Sequence, residues 1–246
     1  MNLLVCISKT PDTTSKISFK SNDTEYNADG ITFILNPYDE WYALVRALEL
    51  TEANGGNVTV INVGPSSNEI IIKKALAIGA NDAVRVDTEA TDAYTVAANI
   101  ANYAKSKDFH IIFTGKETID HNGSEVGAMI AEMMDLPFVS YATHLEVSGQ
   151  VSTITRDVEG GEEVCQVEGA FVLSAAKGMA EQRIPNMKGI MMAKTKPLAV
   201  VPALELTPKV VAEKFVLPPA KTGVKLVDPD NMDELVRLLH EEAKVI

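Results

Sequence analysis

Residues 58–86 read VTVINV (58–63), GPSSNEIIIKKALAIGAND (64–82) and AVRV (83–86). The first and last segments are apolar and rich in β-branched residues, which favours strands. Between them, Gly64-Pro65-Ser66 predicts a turn and Ile70–Ala77 predicts an apolar helix. A strand, a helix and a second strand in this order predict a βαβ unit, whose two strands run parallel in one sheet.

The same alternation extends to both sides of this stretch. Before it, Asn36 is predicted to cap a helix with Pro37 at its first position, and Asn54-Gly55-Gly56 is predicted to end that helix. Further segments repeat the pattern: strands Leu3–Ile7, Ile31–Leu35 and Ile111–Thr114, and a helix Thr95–Ala104. The predicted fold class is therefore α/β, a mostly parallel sheet with helices on both faces.

The second half of the chain has a different pattern. Ser148-Gly149-Gln150 and Glu159-Gly160-Gly161-Glu162 predict two successive hairpins, and Ala170–Ala175 predicts a central strand. Residues Pro197–Asp230 contain six prolines and no clear period, which favours an extended arm. A short helix, Asp233–Ala243, is predicted to follow it. We expect a nucleotide-binding domain over residues 1–206 and a C-terminal arm over residues 207–246.

Composition excludes several classes of function. The net charge of −12 argues against a nucleic-acid partner, because phosphate binding needs a basic face. No apolar run is long enough to predict a membrane-spanning helix, and the N-terminus predicts a strand, not a signal peptide. Cys6 and Cys165 form no CxxC pair, so both are expected to be reduced thiols, and the four scattered histidines give little support for zinc.

Three loops are predicted to meet beyond the carboxyl ends of the strands, where open parallel sheets bind ligands. They are Asn36–Asp39, Val63–Pro65 and Gly115–Gly127. In the third, Gly123-Ser124 is predicted to open a helix whose free N–H groups suit a phosphate, and Asp120 could bind a ribose. The alternative is an ordinary glycine-rich loop with an aspartate cap. Neither GxGxxG nor GxxxxGK[ST] is present.

Four segments, in this order, resemble the beta subunit of electron transfer flavoproteins. They are Pro11-Asp12, Asn36–Asp39, the helix end Ala75–Ala80, and Gly115–Asp120, in which Glu117 stands for the family's glutamine. The family's hairpin signature is matched by residues 154–163, while Cys165 and Ala170 depart from its pattern. The resemblance covers nearly the whole chain.

The resemblance implies a Rossmann-like domain of the adenine nucleotide alpha hydrolase type, with a C-terminal arm that embraces a larger alpha subunit. FAD would be held mainly by that subunit, and this chain would hold an AMP, or a second FAD in electron-bifurcating members. Tyr38 matches an aromatic residue close to the partner's flavin. The positions that match cofactor contacts are Cys6, Asn36, Pro37, Tyr38, Asp39, Val63, Asp120, Asn122, Gly123, Ser124, Glu125, Val126, Gly127 and Ala131.

The resemblance also implies partner-binding residues. The loop Glu181–Ile190, with Glu181, Arg183 and Met187, is similar to the loop by which the family recognises dehydrogenases, and Met187 takes the docking position. Asp157 matches an acidic residue that pairs with the mobile flavin domain. The implied partners are the alpha subunit, acyl-CoA or related dehydrogenases, and a quinone oxidoreductase or other acceptor. The implied location is the cytoplasm, or the mitochondrial matrix in a eukaryote.

The loop after Asp120 leaves the choice of nucleotide open. Ser124 and Val126 are similar to the members with a second FAD, whereas Ala128 lacks their proline, and AMP is favoured. Other functions also remain open. A stand-alone adenine-nucleotide regulator of the universal-stress type would need no partner, and a nucleotide-dependent hydrolase or ligase would need His121 or Lys116. We expect an electron carrier with no catalytic residues and no metal.

Overall fold

The computed structural model describes residues 1–90, 92–220 and 223–246, which form two compact units. The first unit comprises Met1–Ile17 and Ala28–Ala212. The second comprises Ser18–Asn27 and Glu213–Ile246. Each is therefore made of two separate segments of the chain.

Thirteen strands occur in the described residues. They are β1 (Asn2–Cys6), β2 (Lys9–Pro11), β3 (Phe19–Lys20), β4 (Glu25–Tyr26), β5 (Phe33–Leu35), β6 (Asn57–Val63), β7 (Asp82–Asp87), β8 (Ile111–Gly115), β9 (Phe138–Ser148), β10 (Val151–Val158), β11 (Gly161–Glu168), β12 (Phe171–Ala175) and β13 (Leu198–Pro202). Nine of them build one sheet in the order β11-β10-β9-β12-β8-β1-β6-β7-β13. Seven neighbouring strands, from β9 to β13, run parallel, and the hairpin β10-β11 continues the sheet antiparallel.

Helices cover both faces of this sheet. The α-helices are α1 (Asp39–Asn54), α2 (Glu69–Ile78), α3 (Ala93–Lys105), α4 (Val126–Met134), α5 (Met187–Ala193) and α6 (Met232–Arg237). Side chains alternate along β1, so Leu3 and Val5 join the core under α1 and α2, while Leu4 and Cys6 join the core under α3 and α4. The predicted fold class is confirmed.

Several local predictions are confirmed. Gly55 ends α1 with a φ of 73°, a conformation that suits glycine. The two hairpins form β9, β10 and β11 as the glycine positions predicted. The strand Phe171–Ala175 is buried along its whole length between β8 and β9.

One predicted strand is shorter and lies in another sheet than expected, and one segment predicted as arm is a strand. Within the predicted Ile31–Leu35 strand, only Phe33–Leu35 is extended, and it pairs antiparallel with Lys9–Pro11 in a separate small sheet. The segment Leu198–Pro202, predicted as part of an arm, is the edge strand beside β7. Its proline is compatible with an edge position, where backbone N–H groups on one side are not needed for pairing.

Lys196 helps to explain why the chain returns to the sheet at this point. Its ammonium donates to the carbonyls of Leu76, Gly79 and Ala80 at 2.8, 3.1 and 2.6 Å, at the end of α2. A cation at a helix C-terminus satisfies carbonyls that have no partner inside the helix. This contact holds the segment directly before β13 against α2.

The second unit joins an N-terminal hairpin to the C-terminal segment. Strands β3 and β4 pair antiparallel, and the ring of Phe19 stacks on Phe215 with centroids 4.9 Å apart. The amide of Phe215 donates to the carbonyl of Asp23 at 2.8 Å. Helix α6 continues into a π-helical turn, Leu238–Ala243.

No described side chain of the second unit is buried. The first unit therefore contains the described core of the protein. Across residues 1–90, 92–220 and 223–246, the helices are all too short or too polar to cross a bilayer.

Candidate functional site

The candidate site lies at the carboxyl edge of the central parallel strands. Strand β1 stands between β6 and β8, so the chain order reverses at β1 and leaves a crevice beyond its end. Cys6, Val63 and Gly115 are the last residues of these three strands. The predicted loops therefore meet at a topological switch point, although one of them follows the small β2-β5 sheet and not a strand of the main sheet.

Asn36 joins two of these loops. Its buried side chain donates to the Glu117 carbonyl at 3.1 Å and accepts from the Ile119 amide at 3.1 Å. Its own amide donates to the Ser8 carbonyl at 3.0 Å. The prediction that Asn36 caps a helix is wrong, because its side-chain oxygen, which a cap would use as an acceptor, accepts the Ile119 amide instead. Helix α1 begins at Asp39, and Pro37 is buried in the connection.

Tyr38 and Asp39 stand at the entrance to α1. Tyr38 has a φ of 67° and is 53% exposed, and its carbonyl accepts the Tyr42 amide at 2.7 Å. Burial raises the pKa of Asp39, and the nearby Lys116 ammonium opposes this rise. Lys116 also forms an ion pair with Glu117 at 3.1 Å, so the loop after β8 carries a paired cation beside Asp39.

Glu40 is a buried acid that the sequence did not indicate as a site residue. Its carboxylate accepts the Ser8 amide at 2.7 Å and the Ser8 hydroxyl at 2.5 Å. Burial raises the pKa of Glu40 to about 8, against the lowering effect of these two bonds. A side chain at Gly115 would place its Cβ 2.8 Å from Cγ of Glu40, so glycine allows the strand to approach the acid.

Four predicted residues form the apolar floor of the site. Cys6 and Ala131 are buried in one hydrophobic cluster, and Val63 and Val126 pack against it. Burial, and next the charge of Glu40, raises the pKa of the Cys6 thiol, so the thiol stays protonated. These residues can pack beneath a ligand but offer no charge to it.

The loop from Asp120 to Gly127 is exposed except for its last two residues. Helix α4 begins at Val126, so the prediction that Gly123-Ser124 opens this helix is wrong by two residues. The backbone of Ser124 is in the left-handed region, with a φ of 53°, and that of Glu125 is in the right-handed helical region. Two such conformations in succession turn neighbouring N–H groups toward one point.

The Glu125 side chain makes no capping hydrogen bond to α4. Its carboxylate lies against Gly123, where the Cβ of any larger residue would be only 2.8 Å from Oε1. The first-turn N–H groups of α4 are therefore not satisfied by a capping side chain. Such a helix end, behind a glycine-containing loop, has the donors that a phosphate group requires. Asp120 follows directly after the segment that Asn36 holds, at the other end of the same loop.

The residues required by a hydrolase or ligase do not form an arrangement of nucleophile and base. The His121 side chain is 82% exposed, and its Nε2 lies 4.0 Å from Asp120. Lys116 is paired with Glu117, as described above. Within the described ranges, no group of three or more His, Cys, Asp or Glu side chains is placed to hold a metal ion.

The predicted partner-binding residues lie on other elements. The Arg183 guanidinium makes a bidentate contact with the Glu52 carboxylate, at 2.6 and 3.0 Å. The Arg183 carbonyl accepts the Trp41 indole N–H. Glu181, two residues before Arg183, is exposed. Asp157 is exposed on β10, opposite Glu162 near the turn into β11.

Met187 is 74% exposed and does not pack into the core. The prediction of a loop through Ile190 is wrong here, because helix α5 begins at Met187. Asn186 caps this helix, and its side-chain oxygen accepts the Gly189 amide at 2.8 Å. Helix α5 packs on α2. It exposes further large apolar side chains, Ile190, Met191 and Met192.

The sequence indicated the loops of the crevice but not two residues that shape it, Ser8 and Glu40. Glu40 directly follows the Asn36–Asp39 segment, and acids in a first helical turn are common, so its burial gave no signal.

Comparisons with known proteins give a consistent picture. The family model described as "Electron transfer flavoprotein domain" matches residues 24–206. A Bacillus subtilis protein named electron transfer flavoprotein subunit beta is 35% identical, over 100% of both chains. One of the same name from Syntrophomonas wolfei is 36% identical, over 93% of this chain and 90% of the relative. The acryloyl-CoA reductase electron transfer subunit gamma of Anaerotignum propionicum is 29% identical, over 98% and 99%.

Proposed function

Since this chain belongs to the electron transfer flavoprotein family, as a beta subunit with an electron-transfer role, we propose that it works as half of a two-chain carrier and holds an AMP. In this proposal FAD is held mainly by an alpha subunit. Electrons come from acyl-CoA or related dehydrogenases and pass to a quinone oxidoreductase or another acceptor. The proposed location is the cytoplasm.

The observation that carries the nucleotide proposal is the contact made by Asn36. Its side chain ties the segment after the β2-β5 sheet to the loop after β8, and its amide ties both to the segment after β1. The segments after β1, after the β2-β5 sheet and after β8 are thus held together at the switch point by the hydrogen bonds of Asn36. Preorganised backbone at this position is the usual setting for a dinucleotide or mononucleotide in an open α/β sheet.

The residues present suit the parts of an AMP. The uncapped start of α4, with the turn at Ser124, offers N–H donors for the phosphate. Asp120 offers a carboxylate for ribose hydroxyls, and Cys6 and Val63 offer an apolar surface for the base. Family positions Asn122, Gly123, Val126, Gly127 and Ala131 belong to the same loop and helix.

The flavin supplies the redox chemistry when it is bound, and the protein supplies binding and orientation. Tyr38 is suited to approach the partner's flavin, because it is exposed and stands at the edge of the crevice. We place no catalytic residue in this chain. The family membership argues against a stand-alone regulator.

Exposure supports the proposed roles of the partner-binding residues. Met187 and its neighbours on α5 present flexible apolar side chains that can pack against several dehydrogenases. Asp157 presents a charge near a hairpin turn. The C-terminal segment 213–246 has no buried described side chain, which supports ordering against another subunit.

The test is to co-express this chain with its alpha subunit, denature the purified pair, and count the nucleotides released. One FAD and one AMP for each heterodimer are expected. Two FAD and no AMP would replace the AMP proposal with a bifurcating carrier. A chain that purifies alone, with no flavin in any preparation, would contradict the proposed carrier.

The second candidate, a second FAD in place of AMP, is favoured by one feature. Ser124 and Val126 are similar to the residues of the FAD-binding type, and the left-handed Ser124 keeps a small side chain at the turn. The remaining family residues do not distinguish the two nucleotides, because AMP is itself part of FAD.

A further inference from the structure

Helix α5 carries most of the exposed methionines of this protein. The sequence contains nine methionines, and four of them are exposed: Met187, Met191, Met192 and Met232. Three of these four belong to α5, which is only seven residues long. Met187 and Met191 are the most exposed of them, by 74 and 67%. A thioether is flexible and polarisable, so this helix differs chemically from the rest of the surface.

Close packing of α5 on α2 fixes the direction in which these two methionines point. Gly189 faces α2, where the Cβ of any larger residue would lie 2.3 Å from the Ala77 carbonyl oxygen. Ala193, one turn later on the same face, is buried. Met187 and Met191 lie two residues before and two residues after Gly189, which is a rotation of about 200° around the helix. Their side chains are therefore on the face opposite to α2.

Polar contacts hold the chain on both sides of α5. Before the helix, Arg183 binds the Glu52 carboxylate, and its carbonyl accepts the Trp41 indole N–H at 3.1 Å. The ring of Trp41 is itself covered by the Lys74 ammonium, 4.4 Å from its centroid. After the helix, Lys196 donates to the carbonyls at the end of α2. Both ends of α5 are thus fixed, and its two outer methionines stay accessible to small molecules in the folded chain.

Exposed thioethers react with peroxides. The sulfur lone pair forms a bond to one oxygen of hydrogen peroxide, and the O–O bond breaks. The proton on the transferred oxygen passes to the departing hydroxide, which leaves as water. Sulfur loses two electrons, the peroxide gains them, and the product is methionine sulfoxide. A sulfoxide is polar, so it disfavours burial in an apolar interface.

We propose that Met187 and Met191 are oxidation sites through which peroxide weakens the docking of dehydrogenases on α5. The effect on docking rests on the proposed function, because it needs a dehydrogenase that packs on this helix. Two apolar side chains that dock there become polar together when both are oxidised. Methionine sulfoxide reductases convert the sulfoxides back to thioethers, so the change is reversible.

The modification itself is tested on the purified heterodimer of this chain with its alpha subunit. The complex is treated with hydrogen peroxide, and each methionine is followed by peptide mass spectrometry. Met187 and Met191 should form sulfoxides at least about tenfold faster than Met179, which is buried, because exposure controls the rate. Equal rates at these three residues would overturn the proposal.

The effect on docking is measured as the initial rate at which a purified acyl-CoA dehydrogenase, supplied with its acyl-CoA, reduces the flavin of the heterodimer. After peroxide treatment, the KM for the heterodimer should rise about tenfold with kcat unchanged, as expected when only binding is weakened. Methionine sulfoxide reductases should reverse the rise. A rise that these enzymes do not reverse would assign the effect to another group, such as a cysteine thiol.

Two double variants separate oxidation from docking. Met187→Leu/Met191→Leu keeps the side chains apolar but has no sulfur at either position, so peroxide should cause no rise in its KM. Met187→Gln/Met191→Gln makes both positions polar without peroxide and should raise the KM by itself. Met232→Leu is the matched control, because it removes an exposed methionine outside α5 and should leave the rise caused by peroxide intact.

The results distinguish a failure of this proposal from a failure of the proposed function. If the glutamine variant raises the KM but peroxide does not change that of the wild type, the oxidation proposal alone is wrong. If the glutamine variant has the KM of the wild type, dehydrogenases do not dock on these residues, and both the docking role and its control by peroxide are wrong. If the untreated wild type is not reduced at all, the proposed electron donor is wrong, and the effect on docking is rejected with it.

Discussion

Glu40 connects the candidate site to Ser8 at the scale of single residues. Both carboxylate oxygens accept bonds from Ser8, but the acid is buried below Gly115 and close to Asp39 and Asp120. Burial disfavours its charged form, which explains why the pKa of Glu40 rises to about 8. Ionisation of Glu40 therefore opposes folding.

We expect the protein to lose stability as the pH rises from 5 to 8. In this window the folded chain keeps a proton on Glu40 while the unfolded chain releases it, because the pKa rises from 4.5 to about 8 on folding. The loss should be of the order of 3 kcal/mol. The measurement is the melting temperature of the heterodimer across this range.

Glu40→Gln is the matched variant, because glutamine is of similar size and does not ionise. Its melting temperature should vary less with pH than that of the wild type. Melting curves that shift with pH by the same amount in both proteins would show that another group is responsible.

At the scale of elements, Asp92 joins two segments that are distant in sequence. Its side chain caps α3 by accepting the Thr95 amide at 2.9 Å, and it also accepts the Lys209 and Val210 amides at 2.6 and 3.2 Å. Burial alone would raise the pKa of Asp92, but the bonds from these residues outweigh it and lower the pKa to about 2. Its carboxylate thus holds the chain shortly before residue 213.

We expect Asp92→Ala to increase hydrogen exchange at the amides of Thr95, Lys209 and Val210. Asp92→Ser should protect Thr95, because serine also caps helices, but it is too short to hold both segments. The measurement is amide hydrogen exchange, compared residue by residue. Unchanged exchange at Lys209 and Val210 in both variants would contradict the role of Asp92 as a clamp.

The hairpin of the second unit is a further element that carries a prediction. Phe19→Ala should increase hydrogen exchange at the Phe215 amide, because the ring stack stabilises the contact of Phe215 with Asp23. The double variant Phe19→Ala/Phe215→Ala should lose no more stability than either single variant. The coupling free energy from this cycle should be about 1 kcal/mol.

Phe19→Tyr is the control, since it keeps an aromatic ring for the stack. Effects of the two alanine variants that simply add would mean that the rings do not stabilise each other.

At the scale of the whole molecule, burial and exposure are unevenly distributed. The described core lies in the first unit, while the second unit exposes Val216, Val224 and Leu226 by 81, 77 and 92%. A segment that buries so little apolar surface gains little free energy of folding from burial. Its order is best explained by a partner, which is consistent with the arm that we propose for residues 207–246.

We expect a chain that ends at Ala212 to keep a cooperative melting transition and to bind the alpha subunit at least about tenfold more weakly. The first unit retains every described buried residue, so its folding should not depend on the removed segment. Thermal unfolding and titration with the alpha subunit are the measurements. A truncated chain that binds its partner with full affinity would remove the arm from the interface.

The sequence by itself determined the class of fold and the order of most elements. Periodicity and glycine positions are local properties, so they identified the βαβ stretch 58–86, the two hairpins and the buried strand Phe171–Ala175. Similarity of short motifs indicated the family. Residue types alone also brought two loops of the crevice together, Val63–Pro65 and Gly115–Gly127, since the carboxyl ends of parallel strands share one edge.

Only the tertiary structure decided what individual side chains do. Asn36 is a residue type that commonly caps helices, but its side chain instead bonds to the Glu117 carbonyl and the Ile119 amide of a distant loop. The residue types of Leu198–Pro202 are typical of a linker, and the segment is a strand because it pairs with β7 at the edge of the sheet. The setting of Glu40 depends on Ser8, which is 32 residues away along the chain, and an interaction over such a separation leaves no periodic trace in the sequence.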